Sequence, residues 1–286
     1  MGYLSGMDTN DLRTALLGLA REAGALLAGF SKGSVDDMDV EWKGENDPVT
    51  EADLSAHRLC LERLPSILPG VPLVSEEGDV ETDADLFWSL DPLDGTSEFV
   101  EGLGEWAFQL ALVESGRPVT AVLALPAVDR LYFAQDGRGC QVGRLSGAGL
   151  LPYEGLDPLR RERLVITRSL PRRPSLLRIS GAHPGGDEVL LGGVGYKVHA
   201  LLAGEGDTYF TVPGTLHPWD LAAPLLVARE AGLACRTLSG KEPLVPNGRE
   251  PVPEGQLFTR PKWLERNLEF FARKDIVDLL VARDPR

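Results

Sequence analysis

The stretch "WSLDPLDGTSEFVEG", residues 88–102, decides how this chain is read. It leaves an apolar run, sets Asp91 and Asp94 three residues apart with Pro92 between them, and passes at once to Gly95 and Thr96. Asp-Pro and Asp-Gly are ordinary turn dipeptides, so by itself the segment is an acidic turn closing a strand. The other reading is the floor of a metal and phosphate site. Pro92 fixes φ and stiffens the turn, the Leu93 carbonyl offers a further oxygen, and Gly95 lets the backbone approach a ligand. If "SEFVEG" opens a short helix, the Gly95 and Thr96 amides stand at its N-terminus, where anions are favoured.

Other acidic residues share this kind of location, at the end of an expected strand or the start of an expected helix. They are Glu76-Glu77, Asp220 and Asp47. Strand ends and helix starts converge at one edge of a layered α/β fold. Carboxylates gathered there repel unless a cation sits among them, and an all-oxygen ligand set suits Mg²⁺. Two such ions beside an anion site form an arrangement for phosphoryl hydrolysis. The "LDGTS" run is also similar to that of phosphatases that form a phospho-aspartate, with Asp-x-Asp-Gly-Thr. The nucleophile's position is Pro92 here, which excludes that chemistry.

The bulk numbers set the frame. With 286 residues the chain makes one large domain or two ordinary ones and buries a real core. Its 43% hydrophobic and 25% charged residues are those of a soluble globular protein. A net charge of −14 excludes a general binder of nucleic-acid polymers or of anionic membranes, either of which needs a basic face. Cys60, Cys140 and Cys235 are too scattered for a disulfide framework or a zinc site, and read as reduced thiols of a cytoplasmic protein. No leader and no membrane span are expected.

Residues 11–30 carry the apolar spacing of an amphipathic helix. A second helix is expected from Thr50, with Asp53 completing a capping box, and ends at Pro69-Gly70. "VPLVSEE" and "LFWSLD" read as strands, and residues 106–134 as an antiparallel meander. The Gly-, Pro- and Arg-rich stretch 136–162 is taken as the boundary between an α+β half (1–150), carrying most metal ligands, and a smaller α/β half (151–286). In the second half, strands "RLVIT" and "DTYFTV" alternate with helices "YKVHALLAGEG" and "WDLAAPLLVAREAG", the latter closed by Gly232. Residues 241–259 read as surface loop, and 261–283 as one or two terminal helices.

Taken together, Asp47-Pro-Val-Thr50-Glu-Ala-Asp53, Ser75-Glu76-Glu77, Asp91-Pro-Leu-Asp94-Gly-Thr96 and Trp219-Asp220 resemble the motifs of the inositol monophosphatase superfamily of Mg²⁺-dependent, lithium-sensitive phosphatases. The likeness covers about residues 10–235. It implies an αβαβα layered sandwich and hydrolysis of a phosphomonoester by metal-activated water. It also implies a ligand set. Glu76, Asp91 and the Leu93 carbonyl hold a first ion, Asp91, Asp94 and Asp220 hold a second, and Glu76 lies near a weaker third. Thr96, paired with Asp47, orients and deprotonates the attacking water, while the Gly95 and Thr96 amides grip the phosphate. Homodimers are common in the family, which is analogy alone.

Within the superfamily, "DGTSEFVEG" is most similar to the 3′(2′),5′-bisphosphate nucleotidase branch, with Glu98 and Phe99 matching and Ser97 replacing a lysine. "GVGYK" keeps that branch's Lys197 but not its serines. The inositol branch has a glutamate seven residues before the metal aspartate, and here that position is Pro213. The expected substrate is therefore 3′-phosphoadenosine 5′-phosphate, with inositol-1-phosphate or fructose-1,6-bisphosphate as alternatives. Ser97, Lys197 and His217 are the candidate substrate contacts. A rival of another class is a non-catalytic regulatory binding protein on the same fold. It predicts lost metal ligands, and none is lost. His57, His199 and Trp219 read as packed or satisfied side chains.

Overall fold

The computed structural model describes residues 9–31, 40–44, 47–78, 80–155, 162–168 and 174–282, with the backbone alone for 40–44 and 47–49. Helix α1 (Thr9–Ser31) buries Leu12, Leu16, Leu19, Ala20, Ala23 and Leu27, one apolar stripe at helical spacing. A ribbon of β1 (Val40–Gly44) and β2 (Asp47–Thr50) leads into α2 (Glu51–Ile67). The capping box is present: Ala52 N donates to Thr50 Oγ1 at 3.1 Å, and Thr50 N to Asp53 Oδ2 at 2.8 Å.

The first sheet runs in chain order through β3 (Leu73–Ser75), β4 (Leu86–Asp94), β5 (Ala107–Glu114), β6 (Arg117–Leu125), β7 (Arg130–Gln135), β8 (Gly139–Gly143) and β9 (Leu151–Pro152). Only β3 and β4 are parallel; the other neighbours are antiparallel. A short helix, α3 (Thr96–Val100), follows β4. The expected meander therefore extends beyond residue 134 through β8 and β9, into the Gly-rich stretch. Side chains alternate across the sheet as a pleat requires. Phe108, Leu110 and Leu112 join Leu16, Leu27 and Ala56 of α1 and α2, whereas Ala107, Ala111 and Val113 pack in the cluster on the opposite face.

The second sheet is built from β10 (Leu164–Thr167), β11 (Glu188–Leu191), β12 (Thr208–Phe210), β13 (Ala234–Thr237) and β14 (Gln256–Thr259), in the order β11-β10-β12-β14-β13. Between these strands lie α4 (Pro174–Ala182), α5 (Val194–Ala203) and α6 (Pro218–Glu230), and the chain continues into α7 (Leu264–Phe271) and α8 (Lys274–Val281). Leu164, Ile166, Phe210 and Leu257 pack with Ile179 of α4, Phe271 of α7 and Ile276 of α8. On the other face, Val165, Tyr209 and Phe258 share one core with α5, α6 and the first sheet. The layers are thus α1–α2, first sheet, α5–α6, second sheet, and α4–α7–α8: the αβαβα order that the resemblance implies.

The surface loop expected over 241–259 is corrected at its end. Gln256–Thr259 is a strand, buried at every position between β12 and β13. Four residues show too little alternation to reveal a strand, and a preceding run with Pro251 and Pro253 hides it. No helix among the described residues is long and apolar enough to cross a membrane.

The alanines on the α6 side of the first sheet let that helix lie close to it. Ala111 is fully buried there. Ala111→Leu is expected to cost about 1–3 kcal/mol by overpacking, read as a lower urea midpoint with an unchanged m-value.

Candidate active site

Asp91 and Asp94 are three residues apart, so on a regular strand they would face opposite sides of the sheet. The pairing of β4 with β5 shifts between them. Asp91 lies opposite Gln109 and Asp94 opposite Ala107, so β4 spends one extra residue there. This bulge at Pro92-Leu93 restores a common face for both carboxylates. Pro92 gives no N–H to the ladder and suits such a position. Gly95 then adopts φ 86°, and a Cβ on it would lie 2.8 Å from Glu105 O. Only glycine turns the chain into α3 at that point.

Asp220 reaches the same place from α6. Oxygens of Asp91, Asp94 and Asp220 all lie within 4.8 Å of one another. Each carboxylate is held by main-chain amides. Leu93 N donates to Asp91 Oδ1 at 3.0 Å, and His217 N to Asp220 Oδ2 at 2.6 Å, closing a capping box at the head of α6. Val194 N donates to Asp94 Oδ1 at 2.8 Å and Gly195 N to Asp94 Oδ2 at 2.6 Å, so the first turn of α5 grips both oxygens. The approach requires Gly193, where a Cβ would stand 2.5 Å from Asp94 Oδ2.

Burial and mutual repulsion raise the pKa values of this group. Burial pushes Asp91 well above the usual carboxylate range, and the charges of Glu76, Asp94 and Asp220 add to it. Asp94 is raised by burial, against the pull of the α5 amides and Lys197. Asp220 is raised to about 7, chiefly by burial. A set of hard oxygen donors this crowded fits a divalent cation, which would stabilise all three ionised forms at once. Glu76 stands at the turn after β3, with its amide donating to Leu90 O at 3.2 Å beside Asp91.

Of the other candidate residues, Thr96, Lys197 and the amide of His217 lie beside this cluster. Thr96 Oγ1 lies 3.1 Å from Asp53 Oδ1 and 2.9 Å from Leu93 O, and its one proton serves both acceptors. The partner of Thr96 among the described side chains is therefore Asp53, whereas the side chain of Asp47 lies outside them. Asp53 is nearly inaccessible (1%), and burial lifts it to about 6. Sequence reading assigned it to the helix cap alone. Its Oδ2 fills that role while its Oδ1 faces Thr96, so one carboxylate links cap and site.

Lys197 is buried on α5. Desolvation lowers its pKa, opposed by Asp94, Glu98 and Asp220. Its Nζ sits 5.4 Å from the centre of the Tyr209 ring. With Asp220 it lines a cavity of about 220 Å³, whose other walls include Ile166, Leu176, Phe210, Thr211 and Thr215. Ser97 lies in the first turn of α3. His217 turns its ring onto Trp219, stacked at 4.7 Å and 6°, and its Nδ1 donates to Arg249 O at 2.8 Å. Trp219 is the packing residue expected. His57 bonds Ser75 Oγ at 2.9 Å and His199 bonds the Tyr132 hydroxyl at 2.8 Å, both satisfied within the fold.

Residues 8–268 match the model of the Inositol monophosphatase family, and the chain belongs to that family. It is 31% identical over 230 residues to the 3′(2′),5′-bisphosphate nucleotidase CysQ of Escherichia coli K12, covering 78% of this chain and 89% of the relative. It is 30% identical over 246 residues to a fructose-1,6-bisphosphatase/inositol-1-monophosphatase of Thermotoga maritima, covering 82% and 87%. The solved structure of an IMPase from Thermotoga maritima superposes with a TM-score of 0.74 at 25% identity, covering 92% of this chain and 97% of that one. The protein is a phosphatase, a phosphoric monoester hydrolase of a magnesium-dependent family whose enzymes act on small phosphorylated substrates.

A pH dependence follows from the raised carboxylates. Burial keeps the folded carboxyls of Asp53, at about 6, and Asp220, at about 7, protonated above the unfolded value of 3.8, so they bind more protons in the folded chain. The buried His183 and His199, lowered to about 4 from 6.5, do the opposite below pH 6.5. Above that point the carboxyls prevail and stability falls as pH rises. In EDTA, the urea midpoint is expected to drop from pH 6.5 to pH 7.5, and saturating Mg²⁺ is expected to flatten the decline. An EDTA midpoint that climbs over this range would contradict the burial of these charges.

Proposed function

We propose that the protein is a 3′(2′),5′-bisphosphate nucleotidase, removing one phosphate from a small nucleotide such as 3′-phosphoadenosine 5′-phosphate. The observation that carries this reading is Lys197. It is a buried cation on the wall of the cavity beside Asp220, able to meet a second phosphate that a monophosphate substrate lacks. The likeness to CysQ, Pro213 where the inositol branch has glutamate, and Glu98-Phe99 after the Asp-Gly-Thr turn support it. Inositol-1-phosphate and fructose-1,6-bisphosphate are the alternative substrates, supported by the Thermotoga relative.

In this reading Glu76, Asp91 and the Leu93 carbonyl hold one magnesium ion, Asp91, Asp94 and Asp220 hold another, and Glu76 borders a third. Bound magnesium supplies charge neutralisation for the phosphate oxygens and makes water more acidic. The remaining work falls to the chain. Thr96 Oγ1 receives the proton of the attacking water as its own proton passes to Asp53 Oδ1. A carboxylate poised at about 6 suits that exchange near neutral pH. Water oxygen joins phosphorus as the ester P–O bond breaks, and the leaving alkoxide takes up a proton. The Gly95 and Thr96 amides and Ser97 orient the phosphate, and His217 fixes Asp220 through its own amide. In the cavity, apolar walls and the Thr211 and Thr215 hydroxyls receive the organic part of the substrate.

Two measurements test this. Across 3′-phosphoadenosine 5′-phosphate, inositol-1-phosphate and fructose-1,6-bisphosphate, assayed in Mg²⁺ with and without lithium, kcat/KM is expected to be at least tenfold higher for the nucleotide. Lithium is expected to inhibit. Preference for inositol phosphate would overturn the assignment of substrate and leave the phosphatase class standing. Asp53→Asn is expected to lower kcat by about 10²–10⁴ with little change in KM, the range for loss of a general base. An unchanged kcat would return the proton-accepting role to Asp47.

A further inference from the structure

Arg249, in the loop between β13 and β14, reaches across to the turn that carries Glu76. Its Nη1 donates to the carbonyls of Ser75 and Gly78, and its Nη2 to the carbonyl of Glu76 at 3.1 Å. Three main-chain oxygens from one four-residue turn thus converge on one guanidinium. That geometry uses a planar fork of donors, which a lysine ammonium does not provide. On the other side of the site, the Arg249 guanidinium stands 4.9 Å from the centre of the Trp219 ring. Its main-chain carbonyl accepts the His217 Nδ1 proton at 2.8 Å. His217 in turn gives its amide to Asp220 Oδ2. One residue therefore touches the Glu76 turn of the first sheet and the cap of α6 that presents Asp220.

We propose that Arg249 is a positioning residue for the metal site, tying the Glu76 turn to the head of α6 and so setting Glu76 against the Asp91–Asp94–Asp220 cluster. The inference rests on the reading that these four carboxylates hold magnesium. With the carbonyls of residues 75, 76 and 78 pinned, the backbone of Glu76 has no freedom to swing, and neither does the bond that carries its side chain. The same guanidinium answers the partial negative charge of those carbonyls. The turn is thereby held without drawing a cation away from the carboxylates.

The test uses the full chain stripped of metal and titrated with Mg²⁺ by calorimetry, as wild type, Arg249→Ala, Arg249→Lys and Asp220→Asn. Both Arg249 variants are expected to weaken Mg²⁺ binding at least tenfold, and methylguanidinium is expected to restore part of the affinity to Arg249→Ala alone. At saturating Mg²⁺, the KM for substrate is expected to stay within twofold of wild type. Wild-type Mg²⁺ affinity in either variant overturns the proposal, including the case where the urea midpoint falls and the affinity does not. If Arg249→Ala does not fold, Arg249→Lys, which keeps the stem and the charge, decides. The Asp220→Asn arm separates the two readings. Normal Mg²⁺ binding there removes the metal assignment itself, whereas lost binding there with intact binding in the Arg249 variants removes the positioning role alone.

Discussion

Asp91, Asp94 and Asp220 bring three carboxylates into one buried space, with oxygens of each within 4.8 Å of the others. Two unit charges 4 Å apart at an effective dielectric constant of about 20 repel by about 4 kcal/mol. The elements around the cluster are placed as that repulsion demands. Helices α5 and α6 both begin at it, so two sets of N-terminal amides and two positive dipole ends face the negative charge. Lys197, one turn into α5, also pulls the Asp94 pKa down. Even so, burial outweighs these aids, and all three groups remain raised. A divalent ion among the three carboxylates would offset that repulsion.

The middle helical layer is what makes that arrangement possible. It packs on both sheets through one continuous core, so the strand bearing Asp91 and Asp94 and the helix bearing Asp220 are fixed against each other by burial of apolar surface. The same layer, with β10 and β12, walls the cavity beside Asp220. The carboxylate cluster and that cavity therefore belong to one packed unit. Small residues, Ala107 and Ala111 on the sheet and Gly193 and Gly195 at α5, set how closely it approaches.

Much of this was legible in the sequence because the acidic residues sit in motifs with local logic. The Thr50–Asp53 cap, the Asp91–Asp94 turn and the head of α6 are each decided within a few residues, and the layer order came from the family resemblance those motifs carry. The pairings across the chain were not legible. Thr96 meets Asp53 because α3 lies on the start of α2, and no spacing rule records that contact. The glycines at 193 and 195 were visible, but their meaning depends on Asp94 arriving from another sheet. Arg249 lies in a proline-rich segment without periodicity, and its three acceptors are main-chain oxygens that any residue type supplies. The strand at Gln256–Thr259 was lost in the same segment, since four residues carry too little pattern.

The distance along the chain between β4 and α6 has a consequence for folding. An ion shared by Asp91, Asp94 and Asp220 would join the first sheet to a helix that follows three strands of the second. It would act as a reversible cross-link closing a very long loop. Loop closure of that kind grows dearer only slowly with length, and a ligand that binds the folded state alone stabilises it by mass action. No fragment ending before α6 contains all three carboxylates, so such an ion would find the full set only once α6 has docked. Uptake of such an ion would then come late in folding, after the first sheet and α6 have met.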